Sequence, residues 1–169
     1  MPIRPLRRED FESARAIEWA AGEQFRGVGL DYVAEHGPAT AEELAVYAEA
    51  GRGWVALDDD QRPIGYVVVD VVDGNAHIEQ VSVRPDHQGK GVGRALVERV
   101  CDSARDTDRP WVTLTTFRDV AWNQPLYEHL GFEVASAEEI GPEFAALVRH
   151  EARLWLAPET RVCMRRGVR

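Results

Sequence analysis

The chain has 169 residues, 44% of them hydrophobic and 29% charged, with a formal net charge of −9. That length suits one domain with a hydrophobic core, and the composition excludes disordered and collagen-like classes. The negative balance argues against nucleic acid as a partner, because phosphate binding needs a concentrated basic face and arginine clusters only at residues 4–8 and 161–169.

In chain order, residues 3–6 read as a short edge strand, where proline is tolerated. A helix is predicted from Asp10 to about Ala21, with Phe11, Ala14, Ile17 and Trp19 at helical spacing and Trp19 assigned to the core. Residues 22–31 hold three glycines and read as a loop; a short helix over 31–36 follows and Pro38 stops it. Thr40-Ala41-Glu42-Glu43 starts a helix that carries through Tyr47 to Gly51. A strand over 54–57, a turn over 58–63 and a valine-rich strand over 64–72 come next. Asp73-Gly74-Asn75 then turns the chain into a strand over 76–83. A helix from Gly91 to about Arg105, a strand over 111–116 and a short helix over about 122–130, ended by Gly131, follow. Strands over 132–135 and 162–165 close the chain, with an additional helix from Ile140 through Trp155 between them. The order β-α-α-β-β-β-α-β-α-β is that of a mixed α/β domain, here spanning residues 2–166.

No apolar run nears the ~20 residues of a bilayer span and the N-terminus lacks a signal-peptide core, so no membrane is expected and the cytoplasm is the expected compartment. Cys101 and Cys163 are far apart in unlike contexts, which predicts neither a disulfide framework nor a metal site. An acidic chain hints at a cationic substrate such as an amine.

The most informative stretch runs from Val81 to Leu96: Val-Ser-Val-Arg-Pro-Asp-His-Gln-Gly-Lys-Gly-Val-Gly-Arg-Ala-Leu. A strand ends, and glycines at 89, 91 and 93 open an amphipathic helix. Glycines there let a ligand reach the backbone, and the amides of a helix N-terminus suit a pyrophosphate. Lys90, the only lysine of the chain, and Arg94 add positive charge. The plainer alternative is a structural strand-to-helix turn. The nucleotide-binding pattern Gly-x-x-x-x-Gly-Lys-Ser/Thr is absent.

These residues resemble the GNAT superfamily of acyl-CoA-dependent N-acyltransferases. The family signature Gln/Arg-x-x-Gly-x-Gly/Ala is met by Gln88, Gly91 and Gly93, and its Tyr-x-x-Leu-Gly-Phe hallmark by Tyr127, Leu130, Gly131 and Phe132. The resemblance implies a single-domain member with a mostly antiparallel sheet of six to seven strands, splayed after the fourth and flanked by helices. It implies acetyl-CoA as co-substrate: backbone at Val81 and Val83 would hold the pantetheine arm, and Gln88, Gly89, Lys90, Gly91, Val92, Gly93 and Arg94 the pyrophosphate. Val81 and Val83 also read as core valines.

Acetylation of an amine needs the nucleophile unprotonated, although a free alkylamine has a pKa near ~10. Alternation places His77, Glu79, Val81 and Val83 on one face of their strand. Glu79 falls where the family carries a catalytic or water-positioning glutamate; His77 is the second candidate for the base. The bland reading is that both line a solvated cleft mouth. Tyr127 matches the family tyrosine proposed as acid for the leaving thiolate, against the alternative of a tyrosine packing its own helix. The family's CoA-binding asparagine lies seven residues before this tyrosine, where Val120 stands; Asn123, four before it, is the nearest candidate and equally a helix N-cap. The acceptor side would draw on Phe25, Arg26 and Tyr32, with Arg26 suiting a substrate carboxylate. Cys101, among apolar neighbours, does not suit a covalent step. The expected activity is acetyl transfer to a small-molecule amine by direct attack. A protein lysine or N-terminus is the second acceptor class, and an idle acyl-CoA-binding or sensory module the alternative of another kind. The residue 140–155 insertion would shape the pocket or a homodimer contact.

Overall fold

The structure is a computed structural model and describes residues 1–154 and 157–169. Its strands are β1 (Ile3–Pro5), β2 (Gly53–Leu57), β3 (Pro63–Val72), β4 (Asn75–Val83), β5 (Trp111–Phe117), β6 (Glu133–Val134) and β7 (Arg161–Gly167). Its helices are α1 (Phe11–Gly22), α2 (Asp31–Glu35), α3 (Ala41–Glu49), α4 (Val92–Asp106), α5 (Gln124–His129) and α6 (Pro142–Leu154). The expected end of the C-terminal insertion at Trp155 lies outside the described residues. Hydrogen-bonded neighbours follow the order β1-β2-β3-β4-β5-β7-β6; β1–β2, β2–β3, β5–β7 and β7–β6 pair antiparallel, and β4 lies parallel to β5. That parallel pairing joins Ala76 to Val112 and His77 to Thr113, and ends there.

The chain divides into two compact units, residues 1–70 with 78–100, and residues 71–77 with 101–169. In the first, Leu6, Phe11, Ala14, Ile17, Leu44, Val55, Leu57, Tyr66 and Val68 form the core. The buried stripe of α1 is Phe11, Ala14, Ile17 and Ala21. Trp19 stands two residues past Ile17, about 200° around the helix, and is 50% exposed, so its expected place in the core is overturned. Asp10, where the helix was expected to begin, stands at the N-cap position of α1, and its side chain makes no capping bond. Its carboxylate takes a two-pronged pair from Arg4, 2.7 and 2.9 Å, and the Arg7 N–H at 2.9 Å. The expected loop over 22–31 contains a 3-10 helix over Glu23–Val28, closed by Gly29 at φ +77°.

Local signals elsewhere are realised as read. Thr40 and Glu43 form a reciprocal capping box on α3. Asp73 and Gly74 both adopt positive φ, 50° and 76°, the conformation a two-residue Asp-Gly hairpin turn requires. In the second unit, Val112, Leu114, Phe132, Phe144, Val162 and Met164 are buried. Asp73 caps α6 from a distance: its carboxylate accepts from Glu143 N at 3.0 Å and Phe144 N at 2.9 Å, while the Glu143 carboxylate accepts from Asp73 N.

Candidate functional site

The first unit carries the glycine loop. After β4 a 3-10 turn over Pro85–His87 leads into Gln88, and α4 begins at Val92. Gly89 and Gly91 hold φ at +72° and +84°, values L side chains rarely adopt, and a Cβ at either would meet nothing within 4 Å. These glycines therefore serve the backbone path and leave open space above it. Gly93 differs: a Cβ there would rest 3.7 Å from Val83 Cγ2, an ordinary contact. Ala95 N donates to Gly91 O at 3.0 Å, so the amides of Val92, Gly93 and Arg94 precede the first helical bond of α4. The helix packs close to β3 because residue 65 is glycine. A Cβ there would stand 3.0 Å from Val92 Cγ1 and 3.1 Å from both Leu96 Cδ1 and Ser82 O. The sequence reading took Gly65 only as a strand residue.

Charges in this loop are mostly committed. Arg84 grips the Asp86 carboxylate and His87 adds a contact at 3.0 Å, which holds that carboxyl well below the usual range. Lys90 Nζ donates to Asp86 O at 2.8 Å, and Gln88 Nε2 donates to Val83 O at 3.2 Å. Arg94 is exposed; Val81 and Val83 are half-buried rather than core.

Glu79 is exposed on β4. Nearby in the same unit, Tyr47 donates to Asp70 Oδ2 at 3.1 Å, and Arg52 donates to Val69 O at 3.0 Å and reaches Asp70 Oδ1 at 3.4 Å. Burial, then the charges of Asp70 and Glu79, push the Tyr47 phenol up. This cluster escaped the sequence reading, although Asp70 is the one acid inside the valine run of β3. Phe25 and Tyr32 are half-buried. Arg26 is exposed and paired to Glu23 at 3.1 Å and Glu35 at 3.4 Å, so two carboxylates of its own chain already occupy it.

The second unit carries His77, Asn123 and Tyr127. His77 is 1% exposed, with Nδ1 2.9 Å from Thr113 Oγ1 and its ring 5.0 Å edge-on from Phe144. Burial, helped by the positive charge of Arg161, pushes its pKa down to about 4. The solvated-mouth reading fails for His77: it is a neutral, packed ring whose low proton affinity makes a poor general base near neutral pH. Asn123 takes the N-cap position of α5, yet its side chain makes no capping bond; its Oδ1 accepts from Thr116 Oγ1 of β5 instead. Tyr127 packs edge-on against Phe132 at 5.7 Å. Burial raises its hydroxyl to about 12, against the pull of Arg161, so the phenol keeps its proton over the neutral range. Gly131, at φ +85°, lets Phe132 N return to Tyr127 O at 3.0 Å.

Among the described residues no group of three or more His, Cys, Asp or Glu side chains could hold a metal ion. No helix among them is long and apolar enough to cross a membrane.

A family model described as the acetyltransferase (GNAT) family matches residues 14–132. A 75-residue stretch is 37% identical to the L-amino acid N-acyltransferase MnaT of Escherichia coli (strain K12), covering 43% of this chain and 44% of that protein. An 87-residue stretch is 26% identical to the peptidyl-lysine N-acetyltransferase YjaB of Salmonella typhimurium, covering 52% and 54%. The chain thus spans about half the length of these curated relatives. In fold it is similar to N-acetylglutamate synthase from Neisseria gonorrhoeae, solved with coenzyme A and N-acetyl-glutamate. The TM-score is 0.74 at 16% identity, over 99% of this chain and 35% of that one.

Proposed function

Because the chain belongs to the acetyltransferase (GNAT) family, we propose that it transfers an acetyl group from acetyl-CoA to the primary amine of a small molecule, by direct attack within a ternary complex. The observation that carries this reading is the loop from Gln88 to Arg94. Two positive-φ glycines with open space above them lead into a helix N-terminus, directly after the strand that bears Glu79. Such a cradle suits a pyrophosphate through backbone amides, with Arg94 and Lys90 as local positive charge.

In this mechanism the amine nitrogen attacks the thioester carbonyl carbon; a C–N bond forms and the C–S bond breaks. Glu79, exposed on β4, takes the proton from the amine directly or through water. Tyr127, a phenol that stays protonated at neutral pH, returns a proton to the departing thiolate. His77 holds its place in the packing. Asn123, tied to Thr116, orients the start of α5 below Tyr127. Cys101 is fully buried, so no covalent acyl-enzyme is invoked.

The small-molecule class is supported by the L-amino acid acyltransferase relative, and the peptidyl-lysine relative supplies the competing class. Thiol release from acetyl-CoA over a panel of small amines and lysine peptides tests both. Turnover with small amines is expected. Turnover confined to peptides would move the acceptor to protein, and acetyl-CoA binding with no turnover on any amine would make the chain an idle acyl-CoA-binding module.

A further inference from the structure

Arg161 opens β7, opposite Phe117 of β5 in the register, and its guanidinium lies 4.7 Å above that phenyl ring. The side chain is only 15% exposed. One terminal nitrogen donates to Thr115 Oγ1 at 2.7 Å and reaches Glu151 Oε2 of α6 at 3.4 Å. Thr115 in turn donates to the same carboxylate, at 3.0 and 3.2 Å to its two oxygens. The Nε–H of Arg161 is buried and has no hydrogen-bond partner among the described residues.

A guanidinium in a settled buried ion pair presents two parallel N–H groups to one carboxylate, at 2.7–2.9 Å in charge-assisted geometry. Glu151 meets a single nitrogen at 3.4 Å and leaves Nε–H orphaned, an arrangement that native interiors rarely tolerate. The pair is loose where a permanent one would be tight. The positive charge of Arg161 is felt at both Tyr127 and His77, so the same unit holds the fork and the proposed acid. Arg26, which the sequence offered for a substrate carboxylate, is by contrast exposed and paired twice.

We propose that the Arg161 fork receives a carboxylate of the acceptor, that the acceptor is therefore an amine that also bears a carboxylate, an amino acid in the broad sense, and that Glu151 holds the guanidinium when no acceptor is present. This rests on the acetyl-transfer reading and narrows its substrate class.

The test compares amino acids with amines of the same skeleton lacking the carboxylate, and with the corresponding amides, in the thiol-release assay on the full chain. The wild-type KM for the carboxylate-bearing member is expected to be lower by at least about tenfold, the range of a charged bidentate contact. Arg161→Gln should raise that KM by a similar factor and so collapse the KM difference between the amino acid and the decarboxylated amine, whereas Arg161→Lys, which keeps the charge without the fork, should leave an intermediate difference. Glu151→Gln should lower the KM for the amino acid, a direction that loss of a merely structural ion pair would not give. Equal wild-type KM values within each pair overturn the proposal whether or not the Arg161 variants fold, and so does a raised amino-acid KM in Glu151→Gln. Absence of thiol release with every acceptor overturns instead the reading of the reaction itself.

Discussion

Glu79 and His77 are two residues apart on one strand, yet they have opposite environments: one side chain exposed, one ring buried against Phe144. Alternation along β4 gave both the same face, and periodicity alone carries no information about α6, which arrives from far along the chain to cover His77. Separate roles predict separate phenotypes. Glu79→Gln should lower kcat by roughly 10²-fold while acetyl-CoA affinity measured by calorimetry stays as in wild type. An unchanged rate across the pH range would remove Glu79 from the mechanism. His77 should show itself in stability. Its folded pKa of about 4 lies below the ordinary 6.5, so as pH falls the unfolded chain takes up the proton first. Stability is therefore full above about pH 6.5 and is lost progressively as pH falls toward 4. Between pH 7 and pH 5 this amounts to about 2 kcal/mol. Denaturant titrations should give His77→Gln a correspondingly shallower dependence over that interval; a slope identical to wild type would show that the ring already titrates normally.

The elements that sequence reading placed well are those whose determinants lie within a few residues. The Thr40–Glu43 box, the Asp73-Gly74 turn and Gly131 after α5 each fix a boundary by local chemistry. The capping of α6 was invisible to such reasoning because Asp73 and Glu143 are 70 residues apart. The same reach explains Gly141: a Cβ there would overlap the Asp73 carboxylate, so the glycine exists to admit a side chain from another element. Asp73→Ala removes the acceptor for two helix amides and should cost about 1–2 kcal/mol, the value of a lost N-cap. Gly141→Ala should destabilise by displacing the same carboxylate. Since both act on one contact, the double variant should be little worse than the poorer single one. Additive losses in urea titrations would mean that Gly141 serves some other packing constraint.

At the scale of the molecule, the succession of strands and helices along the chain and the glycine turn before α4 were legible in the sequence, because period and turn chemistry determine them. The acceptor side was not. Trp19 turned outward, Arg26 was taken by two acids, and the buried polar groups around Arg161 are assembled from β5, β7 and α6, segments with no shared motif. For a chain of net charge −9 to take the proposed polyanionic donor it would have to overcome its own field, which would leave the donor dependent on backbone amides and a few local cations. Gly93 is the position at which this dependence separates from folding. Gly89 and Gly91 hold positive φ, so any side chain there strains the backbone, whereas Gly93 has room for one against Val83. Acetyl-CoA at a hundred times its Kd should stabilise the wild type by about 2.7 kcal/mol, a rise in Tm of roughly 5–10 °C for a chain of this size. Gly93→Glu places a carboxylate among the amides that would face the pyrophosphate. Its own Tm should stay close to that of wild type while the acetyl-CoA shift disappears, and Gly93→Ala should retain more of the shift than Gly93→Glu. A full wild-type shift in Gly93→Glu would mean that the pyrophosphate is held elsewhere, and the loop would then be a strand-to-helix turn and nothing more.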